Sequence, residues 1–179
     1  MAKPPLSRET LLPALAAHVL EHGLAGASLR PLARAAGTSD RMLIYHFGSK
    51  AALVADLLAF VAERYAEALD AALGEDRGAT RQEVAARVLA KAGGEEMQPF
   101  MALWWEIVAG SARELPGYRE AAGAVMDRML RWLEGQMPAG DPDPQGGARY
   151  LLTLIEGAMM LSAAGRPRIA REGLVASGL

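Results

Sequence analysis

Apolar residues in this chain recur at three- and four-residue spacing, in runs separated by glycine and proline. The pattern predicts an all-α protein of about nine helices. Strand signals are almost absent, with no sustained Val/Ile/Thr alternation and no Asn-Gly turn. Leu11, Leu12, Leu15, Val19 and Leu20 give a buried face to a first helix over residues 8–21, capped by Ser7 and stopped by Gly23. Pro13 conflicts with it, because an interior proline removes a hydrogen bond and costs up to ~3 kcal/mol. Either the first turn is irregular or the helix starts nearer Leu11. A second, short helix covers residues 29–36, capped by Ser28, with Pro31 in its first turn and Leu32 and Ala35 facing inward. Gly37 turns the chain, and a third helix follows Ser39 and ends at Phe47.

A fourth helix over residues 50–73 carries the stripe Leu53, Leu57, Leu58, Val61, Tyr65, Leu69 and Leu73. Asp56, Glu63, Glu67 and Asp70 fall largely on its other side. At ~1.5 Å per residue it is roughly 35 Å long, enough to join a small head to a larger body. Residues 74–78 break it. Further helices are predicted over residues 80–92, 99–114 (with a start as early as Glu95), 116–137, 144–164 and 167–176. Pro99, Pro116, Pro144 and Pro167 each suit a first-turn position. Residues 138–147, rich in Pro, Gly and Asp, form the one clear linker. The expected division is a three-helix head over residues 1–50, joined by the long helix to a ligand-binding and dimerisation domain over residues 51–179.

Composition narrows the chemistry. The 179 residues are 51% hydrophobic, which excludes a disordered chain. There is no cysteine, so disulfides, thiolate-bound zinc and thiol catalysis are excluded together. No basic stretch, apolar run and cleavage site opens the chain, and the most apolar later stretches are too short for a bilayer. A cytoplasmic protein with no membrane partner is expected. The net charge is −2, unevenly placed. Residues 1–50 hold six Lys and Arg against three Asp and Glu, a balance of +3 that leaves −5 for the rest. A basic end on an acidic body suggests a polyanion partner for that end alone.

Two helices joined by a tight glycine turn make a helix-turn-helix unit, whose second helix enters the major groove N-terminal end first. Asp40, Arg41 and Met42 occupy that end, with Thr38 and Ser39 in the turn before them. Arg41 can reach guanine or phosphate, Asp40 can accept from a cytosine amine, and Met42 can touch a thymine methyl. Tyr45 and His46 come later and suit phosphates, which position without reading sequence. Lys50 opens the long helix, where the macrodipole already disfavours a cation by ~0.3–1 kcal/mol. A bound phosphate reverses that sign. The other reading is a solvated lysine that tolerates the cost.

Two runs together, Leu24-Ala25-Gly26-Ala27-Ser28-Leu29-Arg30-Pro31-Leu32-Ala33-Arg34-Ala35-Ala36-Gly37-Thr38-Ser39 and Leu43-Ile44-Tyr45-His46-Phe47-Gly48-Ser49-Lys50-Ala51-Ala52-Leu53, resemble the DNA-binding head of the tetracycline-repressor (TetR) family. The likeness covers roughly residues 8–60. It implies a ligand-responsive regulator, a repressor that binds double-stranded operator DNA as a homodimer, each head reading half of a palindrome. It also implies that Ser28, Arg30, Tyr45, His46 and Lys50 sit at DNA-contacting positions. The family often has Tyr where this chain has Ile44, so one phosphate contact is either missing or taken over by the adjacent Tyr45. The helices over 144–164 and 167–176 would pair with a second copy as a four-helix bundle, with Gly157, Ala158 and Ala163 allowing close approach.

The body holds the family's ligand pocket. Phe100, Met101, Trp104, Trp105, Met126, Met129 and Met159, with Trp132 and Met160, are large adaptable groups that can line a site for a small apolar or amphipathic effector. Any one of them can instead simply fill the core. Glu106 and Glu156 interrupt these apolar helices. Each can meet a cationic ligand group, pair with an arginine such as Arg149 or Arg113, or reach solvent. His18 and His22, four apart, suit one metal by spacing but have no evident third ligand. No metal and no cofactor is expected, and no catalytic constellation argues for an enzyme. The alternative from another class is a helical small-molecule binding module with a non-functional head.

Overall fold

The computed structural model describes residues 6–24, 27–73 and 78–178, without the side chains of residues 69, 70, 72 and 73. Within them nine α-helices follow one another: α1 Arg8–His22, α2 Leu29–Ala35, α3 Asp40–Phe47, α4 Lys50–Leu73, α5 Arg81–Ala92, α6 Gln98–Ala112, α7 Tyr118–Gln136, α8 Pro144–Ala163 and α9 Pro167–Ala176. A one-turn 3-10 helix, Glu95–Met97, leads into α6. No strand occurs among the described residues, and no single helix there is long and apolar enough to cross a membrane. The expected all-α class holds. Ala25 and Gly26 of the head motif, the breaker over 74–77 and the Leu69 and Leu73 side chains lie outside what is described.

Local signals set most boundaries. Ser7 caps α1 in a reciprocal arrangement with Thr10, so the helix starts at Arg8 and runs through Pro13 without breaking. Ser39 accepts the Met42 N–H at 3.3 Å and opens α3. Thr80 caps α5 and Asp143 caps α8, accepting from Glu83 N and Gly146 N. Three expectations need correction. Ser28 occupies the N-cap position of α2 but its hydroxyl makes no capping bond. Ala33 rather than Ala35 joins Leu32 inside. Pro116 lies in a turn before α7, not in its first turn.

The chain divides into two compact units, one of residues 1–65 and 99–126, the other of residues 66–98 and 127–179. In the first, Leu11, Leu15 and Val19 of α1, Leu32 of α2, Leu43 and Phe47 of α3, and Leu53, Leu57 and Leu58 of α4 share one core with Leu103 and Ile107 of α6. Each fully buried leucine contributes about 1.5–3 kcal/mol by removal from water. This core, not intrinsic propensity, stabilises the seven-residue α2 and eight-residue α3, which are too short to be stable alone.

In the second unit the linker over 138–147 is pinned. Arg81 at the start of α5 donates to both Asp141 oxygens, at 2.7 and 2.6 Å, and to the Asp143 carbonyl at 3.0 Å. The Asp141 side chain is only 2% exposed. The Arg81 guanidinium holds its carboxyl well below the usual range, at about 2. A Cβ on Gly147 would collide with that guanidinium.

Candidate nucleic-acid interface

The turn between α2 and α3 is built by hydrogen bonds that only a left-handed residue permits. Gly37, at φ 63°, donates to the Arg34 carbonyl at 3.1 Å, and Thr38 donates to the Ala33 carbonyl at 2.9 Å. This closes two carbonyls that the end of α2 would leave open. Leu43 and Phe47, four residues apart, then bury the inner face of α3. Burying them turns Arg41 and Tyr45, also four apart, outward, and both are exposed, Tyr45 to 77%. Gly48, at φ 83°, ends α3, and Ser49 accepts the Ala52 N–H at 3.0 Å, starting α4 at Lys50.

The residues expected to meet DNA all lie on three consecutive elements of the first unit and the turns between them. Ser28, Arg30, Ser39, Arg41, Tyr45 and Lys50 are exposed, and Thr38, Asp40, Met42 and His46 are half-buried. Arg30 reaches Asp40 at 4.0 Å across the turn, so the carboxylate at the tip of α3 has a cation beside it. Arg41 and Lys50 have no ion pair among the described residues. Tyr45 meets the His46 ring edge-on, centroids 5.2 Å apart. His46 Nε2 is shielded and unpartnered, so with the ring as it stands only Nδ1 can meet a phosphate.

Two further residues support the head: Arg8, which the pattern did not single out, and Glu106, which it did not connect with the head. Arg8 donates from Nε to the His46 carbonyl at 2.7 Å and from Nη1 to Asp56 at 3.1 Å. The signal was available: Arg8, like Lys50, is a cation at the start of a helix, where it needs a compensating partner. Glu106, on α6, accepts the Leu24 N–H at 2.8 Å in the connection between α1 and α2. Its carboxylate occupies the space a Cβ on Gly23 would need. None of the three roles foreseen for Glu106 includes this backbone bond. Nearby, burial first and the Glu106 charge second push the Tyr118 hydroxyl above its ordinary value.

The ligand candidates divide. Phe100, Met101, Trp104, Trp105 and Met126, all half-buried, belong to the first unit. Tyr65 donates to the Met101 sulfur at 3.8 Å and packs its ring 5.5 Å from Phe100. Met129, buried, and Met159, half-buried, belong to the second unit. The His18 and His22 rings lie 4.5 Å apart, tilted by 57°, but no group of three or more metal-ligating side chains occurs among the described residues.

An exposed face of α3 held by a glycine turn to α2, with a cation opening α4, defines a helix-turn-helix DNA-binding protein. Residues 12–57 match the model of a family described as bacterial regulatory proteins, tetR family. The fold is similar to that of a protein from Streptomyces coelicolor A3(2) described as a transcriptional regulator, at 28% identity, covering 95% of this chain and 96% of that one, with a TM-score of 0.72. It is also similar to a tetR-type transcriptional regulator from Streptomyces avermitilis, at 26% identity, 90% and 88% coverage and a TM-score of 0.58. The multidrug binding protein EbrR, complexed with proflavin, shares the fold at 24% identity, 94% and 97% coverage and a TM-score of 0.69. No curated protein matches the chain. Residues 12–57 thus belong to the tetR family of bacterial regulatory proteins, and the fold of the whole chain is similar to that of transcriptional regulators.

Proposed function

We propose that the chain is a cytoplasmic, ligand-responsive repressor that binds a palindromic operator as a homodimer and is released by a small apolar or amphipathic effector. The observation that carries this reading is the pair of exposed cations with no ion pair among the described residues, Arg41 on the outer face of α3 and Lys50 at the start of α4, with exposed Tyr45 between them in sequence. Arg41, Asp40 and Met42, with Thr38 and Ser39, meet base edges. Ser28, Arg30, Tyr45, His46 and Lys50 hold phosphates. Residues 1–50 thus serve DNA and residues 51–179 serve ligand and partner.

Dimerisation is supported by the apolar groups that α8 and α9 leave open: Met160, Ile169 and Val175 are 58, 49 and 74% exposed. Gly157 and Ala163 are exposed with them, whereas Ala158 packs inside its own unit and is not available for close approach. In a dimer the two recognition helices would stand about 34–36 Å apart, one DNA turn. The effector would meet Trp104, Trp105, Phe100, Met101 and Met126, with Met129 and Met159 as further candidates. The complexes of EbrR with proflavin and with ethidium support a planar amphipathic molecule as the class to try first. A ligand that favours one arrangement of α4 changes DNA affinity by its preference between the two arrangements.

The test is duplex selection from a random pool, followed by binding across salt concentrations. Wild type is expected to select a palindrome and to lose affinity steeply with salt. Proflavin should quench tryptophan fluorescence and release the duplex. A chain that selects no duplex while still binding proflavin would be a ligand-binding module alone, and the reading would fall.

A further inference from the structure

Arg8 is the first residue of α1, yet its side chain works on α3 and α4. Nε donates to the His46 carbonyl at 2.7 Å, and Nη1 pairs with Asp56 of α4 at 3.1 Å. The guanidinium carbon lies 5.7 Å from the centre of the Phe47 ring. The His46 carbonyl belongs to the last turn of α3, where carbonyls lack helical partners and the dipole favours a cation. A planar guanidinium can serve a carbonyl and a carboxylate through two fixed N–H groups at once, which an ammonium cannot reproduce.

We propose that Arg8 is a positioning residue for DNA recognition: it clamps the C-terminal end of α3 to the start of α1 and to α4, so that Arg41, Tyr45 and Lys50 are presented as one rigid surface. Arg8 adds to the positive charge of the head, but it acts through protein acceptors and not by meeting phosphate. This rests on the DNA-binding reading above. Asp56 is the second half of the clamp. It places a negative charge beside a head that binds a polyanion, which is explicable if its task is to hold Arg8.

The experiment compares full-length wild type with Arg8→Ala, Arg8→Lys and Asp56→Asn on a duplex selected by wild type, across salt concentrations. All three are expected to bind about ten- to a hundredfold more weakly, the effect of losing a charge-assisted hydrogen bond. The plots of log affinity against log salt should stay parallel to wild type. Direct phosphate binding by Arg8 predicts the opposite: a slope shallower by about 0.9 for each phosphate no longer neutralised, affinity restored in Arg8→Lys, and unchanged or tighter binding in Asp56→Asn. Any of those results overturns the clamp. Amide exchange without DNA is the second readout. In Arg8→Ala, and in Asp56→Asn should the alanine variant not fold, residues 41–48 should exchange about tenfold or more faster while α8 does not change. Unaltered exchange in α3 overturns the proposal whatever the DNA result. If wild type selects no duplex, the DNA reading fails while the exchange measurement still decides whether Arg8 holds α3.

Discussion

The two compact units leave opposite kinds of group unsatisfied at their surfaces. The first buries its leucines and leaves Arg41, Lys50 and Tyr45 facing outward. The second hides the carboxylate of the Arg81–Asp141 ion pair, 2% exposed, and leaves Met160, Ile169 and Val175 open. Each kind calls for a different complement. Unpaired cations gain from a polyanion, by release of its counterions. Exposed apolar side chains gain from another apolar surface, by removal of water. The largest effect that can break this comparison is a charge placed in the apolar face. Met160→Glu with Ile169→Glu would bury four unpaired carboxylates in a symmetric interface. Association should weaken by about a hundredfold or more, the scale of interface hot spots. Sedimentation would read a monomer at concentrations where wild type is dimeric, with helical content unchanged. A wild type that sediments as a monomer would remove the apolar half of the comparison.

The cationic half is tested next. Arg41→Ala should weaken binding to the selected duplex by about 1–3 kcal/mol and relax preference at one base pair in each half-site. Lys50→Ala should weaken binding to all sequences alike and lower the salt slope by about 0.9 for each phosphate left without its cation. Equal slopes for the two variants would mean that both meet phosphates, and the separation of reading from holding would go.

What can be foreseen from the chain follows the range of each interaction. Ser7, Gly37 and Ser39 act within a few residues, and their positions alone locate the ends of α1, α2 and α3. The stripe of α4 is legible because one turn repeats over many residues. The short α2 has too few turns to fix a phase, so its pattern points to Ala35 where the fold buries Ala33. The Arg8–Asp56, Arg81–Asp141 and Leu24–Glu106 bonds join residues 48, 60 and 82 apart. No local pattern encodes such partners. The candidate DNA-facing residues are therefore readable as residue types on one face, while the bonds of Arg8 to the end of α3 and of Glu106 to the Leu24 N–H are not. For the same reason the pattern does not tell which of the residues from Phe100 to Met159 share a unit.

Acid should separate the units by a smaller margin. The Asp141 carboxyl is lowered to about 2 by its bond to Arg81, against about 3.9 in an unfolded chain. A depressed folded value means that the stabilisation is fully present above about pH 4 and is lost as the pH falls towards 2. Asp141→Asn should lower the thermal midpoint at neutral pH and flatten its fall over that window. Amides of α5 and of the 138–147 loop should be the first to exchange faster. An acid profile identical to wild type would show that this carboxylate does not govern the second unit.

The smallest effect separates folding from binding within the head itself. Ser28 and Ser39 both occupy N-cap positions and both are exposed, but only Ser39 accepts a backbone N–H, from Met42. Ser39→Ala should therefore cost about 1 kcal/mol of stability, the usual worth of a serine cap. Ser28→Ala has no such bond to lose and should leave stability within about 0.5 kcal/mol of wild type. On DNA Ser28→Ala should still bind more weakly if, as proposed, its hydroxyl meets a phosphate at the start of α2. A Ser28→Ala variant with unchanged DNA affinity would take Ser28 out of the interface. A destabilised one would mean that its hydroxyl caps α2 in solution after all.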